Sequence, residues 1–369
     1  MKSKVYFIDL KASYKENFPS RLGKLIETAG ISDSVRSRDL VAVKLHFGEW
    51  GNTAFIRPVF IRKIVDTITS VDGIPFLTDA NTLYAGQRCN TPRHIATAIH
   101  NGFAYSVVNA PIVIADGVKG KSEIAVEINQ KNFKKVYIAA DIVEADALIS
   151  VAHFKGHELC GFGGTLKNLG MGCASRKGKL EQHSTVSPKI KRKRCIACGD
   201  CVERCSQNAI SIVEEKAFIN EKKCIGCGEC IITCAQDAVK IQWDQSGPDF
   251  LEKMVEYTMG VLKQKKEKAL FMNFITDVSP ACDCAPFNDT PIVGDIGVVA
   301  SIDPVAIDQA SVDLVNQAPA LSGSCISEEN AGPGKDKFKA IYPDADWEIQ
   351  LDYAQKLGLG SRDYILEKI

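Results

Sequence analysis

Short apolar runs, separated by stretches of helical period, fill the first half of the chain. KVYFID (4–9), LVAVKLHF (40–47), IPFLTD (74–79), PIVIAD (111–116), KKVYIAA (134–140) and ALISVAHF (147–154) have the length and composition of strands. Between them, RPVFIRKIVDTI sets Val59, Phe60, Ile64, Val65 and Ile68 at a helical period. TPRHIATAIHNG (91–102) opens with Thr91 as N-cap and Pro92 at the first helical position. This alternation predicts an α/β fold, with a mostly parallel sheet flanked by helices. The rhythm stops at residue 189 and resumes after Trp243. ALFMNFIT (269–276) and PIVGDIGVVAS (291–301) then read as strands, and DPVAIDQASVDLVNQ (303–317) as a helix capped by Asp303. The chain therefore divides into 1–188, the first part of an α/β domain; 189–243, a small insert; and 244–369, the rest of the α/β domain. From about residue 319 the tail is broken by Gly and Pro, then turns helical near DWEIQLDYAQKLG.

A length of 369 residues accommodates one large domain with an insertion. Lys+Arg and Asp+Glu both number 45, so no bulk field attracts nucleic acid or an acidic membrane. MKSKVYFIDL reads as a strand rather than a signal peptide, and no apolar run approaches the length of a membrane helix. The expected compartment is the cytoplasm. Fourteen cysteines in such a chain point to metal or redox chemistry rather than disulfides.

Eight of those cysteines fall in the insert, which repeats itself. CIACGDCVERCSQNAISI (195–212) aligns with CIGCGECIITCAQDAVKI (224–241) at an offset of 29. Cys195, Cys198, Cys201 and Cys205 have the spacing C-x2-C-x2-C-x3-C, and Cys224, Cys227, Cys230 and Cys234 repeat it. Thiolates are soft ligands that suit iron–sulfur clusters, and Gly199 and Gly228 allow the dihedrals such a loop needs. A pair of zinc sites is the alternative, which the short duplicated steps fit poorly. The insert resembles the two-cluster bacterial ferredoxin. In that family the fourth cysteine of each run ligates the other cluster. The resemblance implies one 4Fe–4S cluster on Cys195, Cys198, Cys201 and Cys234, and a second on Cys224, Cys227, Cys230 and Cys205. Ser206 and Ala235 replace the family's prolines without removing a ligand. The basic run KIKRKR (189–194) reads either as a solvated linker or as a docking patch for an acidic redox partner protein.

In open parallel sheets, ligands bind beyond the carboxyl ends of the strands. Lys44, His46 and Glu49, Asp79 and Asn81, Asp116, and His153, Lys155 and His157 all gather there if the strands are parallel. His153, Lys155 and His157 are the candidate proton donors. Gly161, Gly163 and Gly164 precede a short helical pattern with Thr165 near its start and Lys167 in the first turn, an arrangement that suits an anionic small molecule. The alternative is a glycine turn that only lets strand and helix pack closely. Cys282 and Cys284 form a C-x-C step whose thiols share one side if the chain is extended, and could hold another metal or cluster.

VKLHFGEWGN (43–52), HFKGHELCGFGGTLKNLGMG (153–172), DVSPACDC (277–284) and DIGVVASIDPVAIDQA (295–310) together resemble the family called domain of unknown function 362, iron–sulfur centre proteins with an inserted ferredoxin module. The resemblance implies a fold and clusters, not a reaction. Three functions follow. One is an iron–sulfur oxidoreductase or electron-transfer component that relays single electrons to a pocket in the α/β domain, where a flavin could also bind. Another is a metal- or cluster-binding maturation protein that uses Cys282 and Cys284. The third is a simple electron carrier.

Overall fold

The computed structural model describes residues 2–183, 187–224, 228–241, 247–263, 265 and 267–369. Eight strands form the main sheet: β1 (Ser3–Asp9), β2 (Leu40–Lys44), β3 (Ile74–Asp79), β4 (Ile112–Ile114), β5 (Ala147–His153), β6 (Ala269–Ile275), β7 (Gly297–Ser301) and β8 (Tyr364–Lys368). Their order is β8-β1-β7-β6-β5-β2-β3-β4. The run from β6 to β4 is parallel, whereas β7 is antiparallel to both β6 and β1. The sheet is thus mostly parallel and mixed towards one edge.

Alternation along the central strands sorts side chains into two core layers. On β6, Ala269, Phe271 and Ile275 join one layer, while Leu270, Met272 and Phe274 join the other. On β5, Leu148 joins the first layer, and Ala147, Ile149 and Val151 join the second. The second layer is closed by α1 (Phe18–Thr28) and α2 (Pro58–Ser70). The first is closed by α4 (Thr165–Gly170), α5 (Gly247–Lys263) and α6 (Pro304–Gln317). Every residue of β5 and β6 is buried, as expected for parallel strands covered on both faces. Among the described residues no helix is long and apolar enough to cross a membrane.

Several boundaries differ from the sequence reading. Helix α3 (Thr91–His100) is capped by Asn90, whose side chain accepts from the Arg93 N–H, so Thr91 is already helical. Val59 is exposed, because α2 buries Ile61 instead. The strand at 135–139 is not in the main sheet; it pairs antiparallel with 123–127. Asp303 caps α6 as expected, accepting from Val305 and Ala306.

Residues 189–240 have a small core of their own. Lys189–Ile190 pairs with Val239–Lys240, bringing the two ends of the segment together. The helices Asp200–Glu203 and Glu229–Thr233 each follow a glycine of positive φ, Gly199 at 87° and Gly228 at 67°. Leu83 and Leu180 of the α/β body pack into this small core.

Candidate functional site

At the carboxyl edge of β2, β3 and β5 the polar residues line a cleft of about 980 Å³, including the part open to solvent. Lys44, His46, Asp79, His153, Lys155, His157 and Lys167 all border it. Lys44 Nζ lies 3.0 Å from Asp79, 2.9 Å from Asn168 Oδ1 and 3.1 Å from the Leu45 carbonyl. Burial opposes ionisation of Asp79, but Lys44 and His94 outweigh it and hold the carboxyl well below its usual range. Arg88 sits 3.2 Å from Glu49 and 3.6 Å from Asp79. Asn81 and Asp116 bond to each other at 2.7 Å beside the cleft. Glu49, Asn81 and Asp116 therefore support this wall without bordering the open space.

The other wall is a loop, 276–285, folded over the strand Lys155–His157. Gly156 donates to the Ser279 carbonyl at 2.8 Å. A Cβ at Gly156 would stand 2.3 Å from the Pro280 carbonyl oxygen, so only glycine lets this loop lie so close. His153 faces acceptors on both ring nitrogens: Asp283 lies 2.8 Å from Nδ1, and the Thr276 carbonyl 2.9 Å from Nε2. It fixes the loop and has no nitrogen left to exchange protons with a ligand, so its expected catalytic role is replaced by a positioning one. Lys155 Nζ bonds to the His153 carbonyl at 3.1 Å and lies 3.4 Å from Asp283.

Within the loop, Cys282, Asp283, Cys284 and Ala285 make a tight turn closed by an N–H to carbonyl bond of 2.9 Å. The chain is not extended there, yet the turn still unites the thiols. The Cys284 N–H points at Cys282 Sγ at 3.5 Å. Lys167 Nζ lies 3.4 Å from Cys282 Sγ. The Cys284 hydrogen bond lowers the Cys282 pKa well below that of an ordinary thiol; burial opposes it, and Lys167 and His157 reinforce it. Cys284 is pushed the other way, as the donor to that sulfur and by burial. His157 Nδ1 accepts from the Leu159 and Cys160 N–H groups at 3.1 and 3.3 Å. Burial and Lys167 oppose a charge on this ring, but the Cys160 and Cys282 sulfurs outweigh them and pull its pKa up to about 9, against the hydrogen-bond geometry. Two N–H groups aimed at Nδ1 leave no room for a proton there, and this decides for neutral imidazole protonated on Nε2.

The glycine turn works differently from the anion site expected of it. The Thr165 and Leu166 N–H groups donate to Asp308 of α6 at 2.7 and 2.9 Å. The anion at the start of α4 is thus part of the chain. Gly161 and Gly163 lie in the short strand Gly161–Gly163, and Gly164 is the residue against which Asp308 packs. Lys167 reaches past this helix end into the cleft, towards Cys282.

The insert holds two smaller cavities. One, of about 20 Å³, is lined by Cys195, Cys198, Cys201 and Cys234; the other, also of about 20 Å³, by Cys205, Cys224 and Cys230. Cys227 lies outside the described residues. Each cavity takes cysteines from both repeats. The repeat extends to hydrogen bonding: Ala209 donates to Cys205 Sγ and Ala238 to Cys234 Sγ, both at 3.2 Å. Among the described residues no three His, Cys, Asp or Glu side chains converge to hold a single metal ion, the Cys282–Cys284 region included. A cubane makes a different demand, since each thiolate binds its own iron and the four surround a volume. Thiols from both repeats around each space are the donor type that such a cluster uses.

The second cavity adjoins the cleft. Gly228, in its lining, lies against Leu83, which borders the cleft; a Cβ there would be 2.8 Å from Leu83 Cδ1. Glu229 is held across the junction, 3.4 Å from Arg176 and 3.6 Å from Lys121. Sequence reasoning missed Tyr84, Arg88 and Lys179 as cleft residues. The strand-end rule could have found the first two, which lie in the loop after β3. No local signal marks Lys179.

The family model described as a domain of unknown function (DUF362) matches residues 41–313. Among solved structures, the chain is similar to the lactate racemase apoprotein from Thermoanaerobacterium thermosaccharolyticum, with 12% identity, a TM-score of 0.35, and coverage of 75% of this chain and 51% of that one. It is also similar to a protein from Thermotoga maritima, with 9% identity, a TM-score of 0.44, and coverage of 85% and 61%. The chain therefore spans only about half to three-fifths of the length of these proteins. Among curated proteins none matches it.

Proposed function

This chain belongs to the family described as a domain of unknown function, DUF362, and from that premise we propose that it is an iron–sulfur oxidoreductase or electron-transfer protein. Cys195, Cys198, Cys201 and Cys234 would hold one 4Fe–4S cluster, and Cys205, Cys224, Cys227 and Cys230 the other. When bound, the clusters supply one-electron storage and transfer. The observation that carries this reading is the pair of cavities, each walled by cysteines from both repeats. The contact between Gly228 and Leu83 supports a relay that ends at the cleft. There Lys155 and Lys167 would place an anionic ligand, and His157 Nε2–H would donate to it.

Anaerobically prepared protein should contain about eight irons and about eight acid-labile sulfides, and give a low-temperature paramagnetic signal after dithionite. Cys234→Ser should remove about half of the iron, with the other half retained. Iron-free protein that binds zinc instead would end this reading.

A redox partner protein would dock over the first cavity. Ile196 and Ile212, both in its lining, are exposed, and so are Lys191 and Lys193 beside them. An apolar centre with a basic rim fits an acidic partner. Reversing Lys191 and Lys193 to Glu should slow reduction by an acidic ferredoxin-type donor roughly tenfold or more at low salt. An unchanged rate would remove the docking assignment.

A further inference from the structure

We infer that Cys282 and Cys284 form a reversible dithiol–disulfide couple at the cleft, with Cys284 the sulfur that small thiols reach and Cys282 the buried sulfur that leaves. The division of roles follows from position. Cys284 borders the cleft and is half-buried; Cys282 is 3% exposed and stands behind it. The turn brings Cys282 Sγ to within 3.5 Å of the Cys284 N–H. The groups facing Cys282 are Lys167 from α4, His157 from the strand Lys155–His157, and Cys284 from its own turn. Tyr84 donates to the Cys284 carbonyl at 3.2 Å, and Arg88 donates to the Tyr84 hydroxyl at 3.1 Å. The cationic side of this setting lies at the buried sulfur. A thiolate with such partners is a good leaving group.

The exchange balances as follows. The thiolate of a small thiol attacks Cys284 Sγ of the disulfide, the Cys282–Cys284 bond breaks, and Cys282 departs as a thiolate beside Lys167. A second small thiol attacks the mixed disulfide, releasing a small-molecule disulfide. Cys284 takes up one proton and donates to Cys282. Two small thiols are oxidised and one protein disulfide is reduced. Run backwards, a small disulfide oxidises the pair. Joined to the cluster reading, on which this sentence alone rests, the two electrons of the couple equal the single electrons of two clusters.

The test uses the full chain, prepared anaerobically, in a Cys325→Ser background, where the tryptic fragment 269–335 contains only Cys282 and Cys284. After equilibration with oxidised and reduced dithiothreitol and acid quenching, the fragment should lose two hydrogens under oxidising poise and regain them under reducing poise. With glutathione disulfide, Cys282→Ser should trap glutathione on Cys284, while Cys284→Ser should not trap it on Cys282. Lys167→Met should move the pair towards disulfide at fixed poise, and Lys167→Arg should restore it. A fragment that stays dithiol under excess oxidant, or glutathione trapped on Cys282, overturns the inference. Should a variant fail to fold, the mass of the wild-type pair still decides. This readout excludes every cluster cysteine, so it fails separately from the iron and sulfide analysis.

Discussion

Single residues set the cleft's geometry more than its composition does. Asp308 is the case in point. It is buried and accepts from Thr165, Leu166 and Asn273, so one carboxylate joins α4, β6 and α6. Gly164 makes the approach possible: a Cβ there would stand 2.3 Å from Asp308 Oδ1. Gly164→Ala should therefore cost about 1–3 kcal/mol in chemical unfolding, as a small-to-large change against a fixed neighbour. It should also disturb Lys167, three residues on. Asp308→Ala removes the acceptor without the clash, and leaves buried N–H groups unpaired at about 1–3 kcal/mol each. Neutral behaviour of Gly164→Ala would mean that Asp308 does not hold this helix in place.

At the scale of elements, the joint between insert and body depends on a buried ion pair. Arg176 begins the helix Arg176–His183 and meets Glu229, which begins the second short helix of the insert. Their side chains are 0% and 7% exposed. Glu229→Gln leaves Arg176 with the Thr82 and Cys89 carbonyls, and Arg176→Met leaves Glu229 with Lys121, so each should cost about 1–3 kcal/mol, and the double change less than the sum. Additive losses in a double-mutant unfolding cycle would show that the two do not act as a pair.

Elements also define what was legible in advance. The apolar-run and helical patterns sufficed for β1 to β7 and for α2, α3 and α6, because each buries a face that local sequence can encode, whereas the half-exposed β8 was not read. The strand-end rule located Lys44, His46, Asp79, Lys155 and His157 from parallel order alone. The antiparallel placement of β7 was not legible, since strand direction is decided by connections rather than by composition. Nor was the partner of α4: Asp308 lies 143 residues from Thr165, and nothing near either residue encodes their meeting. His153 was assigned chemistry for the same reason, as the loop that occupies both its nitrogens comes from 123 to 130 residues further along the chain.

The molecule as a whole gathers buried charge on one side of its sheet, and this has a consequence for stability against pH. Lys179 is buried, bonds to the Ala174 carbonyl at 2.6 Å, and borders the cleft. Burial pushes its pKa down to about 8, although Asp116 and Asp79 work to raise it. An unfolded lysine titrates near 10.4, roughly the model-peptide value. Between about 8 and 10.4 the unfolded chain therefore holds more protons at this position than the folded one, and stability rises with pH through that window. The penalty is fully present below about pH 8 and is relieved as the ammonium loses its proton in the fold. Lys179→Met abolishes the term, so wild type should gain on the variant by up to about 3 kcal/mol between pH 8 and 10.4. Comparing the two proteins removes the opposing contribution of Cys173, whose thiol burial pushes up to about 11, except for the part that Lys179 itself sets. Urea unfolding of both across this range measures the difference directly. A gap that stays constant with pH would mean that Lys179 is as well solvated in the fold as in the unfolded chain, and that this side of the cleft is open to water.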